Sequence, residues 1–155
     1  IINALRGDDG GEPINNVVIL TGDVHSAWVA DITDNPNQPI DAAGGYNPVT
    51  GQGSVATEFV VTSVTSPGLE VPNQIIESIR LTSPHIKHVN VTERGYSVLR
   101  VAEDKTTCEY WAVSTILERG GSETLSATYE VADGANRISQ QGVFPVDVVT
   151  GLLGV

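Results

Sequence analysis

The chain has 155 residues, 40% of them hydrophobic, and 8 Lys plus Arg stand against 19 Asp plus Glu for a net charge of −11. That length suits one domain, the apolar content argues against disorder, and no stretch approaches the ~18 consecutive apolar residues of a membrane-spanning helix. So negative a surface repels nucleic acid, which is bound through clustered Lys and Arg, and the single cysteine, Cys108, permits neither an internal disulfide nor a Cys-x-x-Cys metal knuckle.

The chain opens on Ile1 and contains no Met, which we read as a piece of a longer polypeptide; ordinary maturation is the alternative. Ile1 to Arg6 has no signal-peptide pattern and reads as the last turn of a helix, stopped by the Gly-rich, acidic loop Arg6 to Pro13. The β-branched, apolar run Asn16 to Thr21 predicts a strand buried on both faces and ended by Gly22. Trp28 to Ile32 predicts a second strand, Asn35 to Gly53 a long loop, and Ser54 to Val64 another buried strand. Pro72 to Arg80 has the spacing of a short amphipathic helix with Pro near its start. The period then changes to two. His88 to Thr92, Tyr96 to Ala102 and Thr107 to Thr115 predict strands, the last two joined by the polar turn Glu103 to Thr106, and Thr124 to Val131 predicts a further one. Gln140 to Val155 is apolar and Gly-spaced, a composition expected to pack on something outside this chain.

The segment with most chemical promise is Thr21-Gly22-Asp23-Val24-His25. In extended geometry Asp23 and His25 share a face while Val24 points into the protein. Gly22 permits a sharp exit and close approach of a ligand. A carboxylate suits hard cations such as Ca²⁺, and an imidazole suits iron or zinc. A solvated Asp beside a hydrogen-bonded core His remains the plainer reading of the spacing alone.

Four blocks in order are more specific: Asn16 to Trp28 (NVVILTGDVHSAW), Glu58 to Gly68 (EFVVTSVTSPG), Pro84 to Tyr96 (PHIKHVNVTERGY) and Cys108 to Trp111 (CEYW). Together they resemble the C-terminal part of PhoD-like alkaline phosphatases, secreted phosphodiesterases and phosphomonoesterases of the calcineurin-like metallophosphoesterase superfamily. The resemblance implies an α/β fold, the C-terminal part of a two-sheet sandwich of αββα type. Residues 1–117 would form that part, with 118–155 an unrecognised β or loop extension packed on the same domain. It also implies hydrolysis of phosphate mono- or diesters by metal-activated water, and secretion. By carry-over, His25 would ligate iron and Asp23 a neighbouring calcium in a dinuclear or multinuclear centre, with other divalent metals as alternatives. Such a centre needs roughly six protein ligands, so the N-terminal portion or a companion chain would have to supply the rest. This chain alone is then expected to be inactive.

Glu58 is read either as a carboxylate orienting His25 or as the partner of a nearby cation. His85 and His88 are read as structural, His85 being the better candidate to support the site. Ser63, Thr65 and Ser66 suit turn capping, Arg94-Gly95-Tyr96 a turn into a hairpin, Trp28 and Trp111 packing, and Cys108 a small buried hydrophobe. The competing function is a non-catalytic extracellular structural or interaction protein in which phosphatase-like residues survive as scaffold.

Overall fold

A computed structural model describes residues 1–68 and 71–142. The first helix, α1 (Ile2–Arg6), stops at Gly7, whose left-handed conformation closes the helix end. Four strands form one sheet: β1 (Val18–Thr21), β2 (Ala27–Ile32), β3 (Ala56–Val60) and β4 (Ile86–Asn90). Their order is β1-β3-β2-β4, with β1 parallel to β3 and the other pairs antiparallel. Helix α2 (Asn73–Thr82) precedes β4. A second sheet is an antiparallel meander of β5 (Gly95–Val101), β6 (Lys105–Val113), β7 (Glu123–Ala132) and β8 (Gln140–Gln141). Neither described helix is long and apolar enough to cross a membrane. The expected extension beyond residue 118 supplies β7 to this sheet, whereas the apolar stretch anticipated up to Val155 lies, past Gly142, outside the described residues.

The two sheets face each other across a shared core. Ala27, Val29 and Phe59 come from the first, and Cys108, Tyr110, Ala127, Tyr129 and Val131 from the second. The two-residue period explains the selection: Val29 lies opposite Phe59 in register, so both project to one face. In the second sheet Cys108 and Tyr110 pair with Tyr129 and Ala127, and a bulge beside Tyr110 makes Ser126 the extra residue of β7. Cys108 is buried as expected, and that burial pushes its thiol up to about 11. The expected double burial of β1 does not hold. It is an edge strand among the described residues, and Leu20 is 64% exposed.

His88, from β4, inserts between the sheets, its ring centroid 5.8 Å from that of Tyr110 and 5.5 Å from that of Tyr129. The same two-residue period carries Asp31 inward, where its side chain is fully buried. Three donors surround that carboxylate. Tyr46 donates its hydroxyl to Oδ2 at 2.6 Å, the backbone N–H of Ile138 donates to Oδ1 at 2.7 Å, and Lys87 Nζ lies 3.6 Å from Oδ2. Lys87 also donates to the Pro48 carbonyl at 2.9 Å. The long loop predicted over Asn35 to Gly53 is therefore pinned to the sandwich through Tyr46 and Pro48.

Two measurements test this account. Asp31→Ala strands a lysine and a buried N–H and is expected to cost about 3–5 kcal/mol, against about 1–2 kcal/mol for Tyr46→Phe; denaturant midpoints read both. Burial first, then Arg80, lowers the His88 imidazole to about 4 from an ordinary 6.5. Between those values the unfolded chain binds a proton that the folded chain refuses, so stability falls as pH falls, by on the order of 2–3 kcal/mol. His85 is lowered too and acts in the same sense, whereas the carboxyl of Asp31, raised by burial, opposes it at the acid end. His88→Phe is expected to flatten the loss of denaturation midpoint between pH 6.5 and 4.

Candidate functional site

The candidate site occupies the connection between β1 and β2. β1 ends at Thr21, whose hydroxyl donates to Glu58 Oε1 at 2.6 Å, and the Val61 N–H donates to the Thr21 carbonyl at 2.9 Å. Beyond Gly22 the chain turns abruptly: the Val24 N–H bonds the Gly22 carbonyl at 3.0 Å across Asp23, which has φ 71°. An i to i+2 bond around a positive φ is the rare, strained γ-turn. His25 is left-handed as well, at φ 52°. Two such non-glycine residues cost roughly 1–2 kcal/mol each and persist only where surrounding contacts over-determine them.

This geometry corrects the expected extended arrangement. Asp23 and His25 share one short turn rather than one face of a strand, and Val24, expected inside, is 48% exposed. The strand period fails here because extended geometry ends at Thr21 and resumes at Ala27. Asp23 is exposed and its carboxylate is accessible, while His25 is half-buried.

The imidazole of His25 is oriented by its neighbour. Nδ1 lies 3.2 Å from the Pro67 carbonyl oxygen; since a carbonyl only accepts, the bond requires a proton on Nδ1, which in the neutral ring leaves the lone pair on Nε2. Metal-binding histidines are characteristically held through the second nitrogen in this way. Asp23 supplies hard oxygen and His25 borderline nitrogen, a donor pair that fits adjacent unlike cations. Among the described residues no group of three or more His, Cys, Asp or Glu is placed to hold a metal ion.

The other expected residues fall elsewhere. Glu58 sits on β3 beside Ile19 and Ala30, and its hydrogen bond goes to Thr21, at the base of the turn. It steadies the strand end from which the turn departs. His85 lies at the far end of β2, where its carbonyl accepts from the Asp31 N–H at 3.0 Å. From Ala27 to Asp31 the strand alone runs roughly 13 Å at ~3.3 Å per residue, so His85 does not support His25. Its neighbours are the Asp31 and Lys87 groups. Ser63 does cap a turn, donating to the Ser66 carbonyl at 2.8 Å.

One residue read only as part of a turn enters the site. Arg94 Nη1 donates to the His25 carbonyl at 3.2 Å and to Thr62 Oγ1 at 3.2 Å. Its block was visible in the sequence, but contact with a turn almost seventy positions earlier depends on the pairing of β2 with β4, which local pattern does not carry.

The PhoD-like phosphatase family pattern matches residues 10–110, a span that contains Asp23, His25, Glu58 and Arg94. The chain belongs to the PhoD-like phosphatase family. Alkaline phosphatase D of Bacillus subtilis (strain 168) is 30% identical to it over 130 residues, which is 83% of this chain and 20% of that protein. A solved structure of PhoD matches with a TM-score of 0.70 and 23% identity, over 93% of this chain and 24% of its own. The β-rich, two-sheet fold expected from the resemblance is thus the fold of a PhoD-like chain. This chain spans about a fifth to a quarter of the length of these relatives.

Proposed function

We propose that this chain contributes Asp23 and His25 to the metal centre of a phosphoesterase that hydrolyses phosphate mono- or diesters. The observation that carries the reading is the turn after β1. It spends backbone strain at two residues of one short turn, which carries an accessible carboxylate at Asp23 and, two positions on, an imidazole whose Nδ1 is tied to Pro67. Strain of this kind accumulates at functional sites, and family membership supports a phosphate ester as the substrate class.

By the family resemblance, His25 would hold iron and Asp23 calcium, the softer donor suiting the redox-type metal and the harder donor the hard one. When bound, such cations neutralise phosphate charge and acidify water at neutral pH. The chain's own residues do the positioning. Pro67 sets the imidazole, Glu58 anchors Thr21 at the turn's base, and the exposed Asp23 leaves its oxygens open to the site. Two donors fall short of a dinuclear set, so the remaining ligands come from the N-terminal portion of the same protein or from a companion chain. The surface charge of −11 does not prevent phosphate binding, because the cations dominate the local field. Secretion to the periplasm or the exterior accompanies this reading.

In the intact polypeptide, His25→Ala and Asp23→Ala are each expected to lower hydrolysis of a chromogenic phosphodiester at least a hundredfold and to reduce bound metal on elemental analysis. Chelation should abolish the wild-type activity, and added iron and calcium should restore it. Wild-type turnover and metal content in His25→Ala would remove the residue from the mechanism and favour a scaffold role for the turn.

A further inference from the structure

Arg94 contacts the candidate site through its guanidinium. Nη1 donates to the Glu93 carbonyl at 2.6 Å as well as to the His25 carbonyl and Thr62 Oγ1, and Nη2 donates to the Val91 carbonyl at 3.2 Å. The guanidinium is therefore fixed to the connection between β4 and β5 and extends one donor to the turn. Carbonyl and hydroxyl oxygens are all neutral acceptors, and bonds from a charged donor to them are roughly twice as strong as neutral ones. The acceptor at His25 matters because that residue is left-handed, and a strained carbonyl needs a firm partner to stay where it is.

Gly68 lies against the same group. A Cβ placed on Gly68 would fall 0.9 Å from Arg94 Nη2, so a side chain at this position would collide with the guanidinium. Gly68 directly follows Pro67, whose carbonyl orients the His25 ring. Further contacts tie this loop to β5: the Gly95 N–H donates to the Ser63 carbonyl at 3.1 Å. One guanidinium thus touches both the backbone of His25 and the segment that holds its imidazole.

We propose that Arg94, packed on Gly68, is a positioning residue that fixes the rotamer and tautomer of His25 and so keeps Nε2 available as a metal donor. The inference rests on the reading of His25 as a ligand. Without the clamp, the turn relaxes toward ordinary backbone angles, the Pro67 bond lengthens, and the imidazole reverts toward the Nε2–H form that a free neutral ring favours. The donor nitrogen is then protonated in most molecules.

The test uses the intact polypeptide that contains this chain, with ¹⁵N-labelled histidine and His25→Gln to assign the His25 resonances. In the chelated wild type at pH 8, Nε2 is expected at the unprotonated and Nδ1 at the protonated chemical shift. Arg94→Gln should move both toward the opposite tautomer and, after metal is returned, weaken its retention 10–100-fold. Gly68→Ala is the second variant. Its backbone φ lies outside the left-handed region and the obstructing atom is the end of a flexible side chain, so the substitution displaces the guanidinium with little harm to folding. It should shift the same resonances, and it decides the matter if Arg94→Gln fails to fold. Wild-type His25 resonances in either folded variant overturn the proposal. Metal loss in His25→Gln with unshifted resonances in both variants defeats the clamp alone; full metal retention in His25→Gln defeats the ligand reading, whatever Arg94 does.

Discussion

The parity of β2 governs the molecule. Ala27, Val29 and Asp31 point into the space between the sheets, and everything near them is arranged to satisfy that choice. For Val29 the match is Phe59 on the neighbouring strand with Tyr110 and Tyr129 across the gap, a contact between apolar and aromatic surfaces worth roughly 1.5–3 kcal/mol per large side chain. For Asp31 the same orientation is costly, because a buried carboxylate without partners is intolerable. The fold answers with Tyr46, Lys87 and the Ile138 N–H, groups drawn from three separate parts of the chain. A slip of one residue would expose the valine and leave those donors without an acceptor.

That parity also divides the two ends of the strand by chemistry. At the Asp31 end, charged groups are enclosed and answered internally: the Tyr46 hydroxyl is driven above its ordinary range by burial and by the adjoining carboxylate, and the His85 imidazole below its own by burial. At the Ala27 end the chain has just left a strained turn, with the Asp23 side chain exposed, the His25 ring held by the Pro67 carbonyl and the His25 carbonyl by Arg94. The first end is closed on itself and the second leaves the Asp23 carboxylate open. Ser26 marks the border, its buried hydroxyl accepting the Trp28 indole N–H at 2.7 Å and donating to the Val24 carbonyl at 3.2 Å.

Most of the strands were legible because alternation of apolar residues is a local signal. The meander through β5, β6 and β7 followed from period-two runs and a polar turn, and α2 from its amphipathic spacing. The β1 run misled for a physical reason: Val17 to Leu20 is equally suited to a central strand and to an edge awaiting a neighbour, and apolarity does not distinguish them. At the site, Asp23 and His25 stood out as residue types, yet the turn that presents them is built from left-handed angles that Asp and His adopt without any diagnostic pattern. His85 was misplaced for a related reason. Its distance from His25 is set by the antiparallel register of β2 and β4, a property of pairing rather than of either strand alone.

Cys108 gives the chain an internal timekeeper. It is the sole thiol of the sequence, 1% exposed, and burial holds its sulfur in the unreactive protonated form. An alkylating reagent can reach it only when the tyrosine-lined layer between the sheets parts. The rate of its modification therefore counts openings of the sandwich core itself, undisturbed by movements of the outer loops.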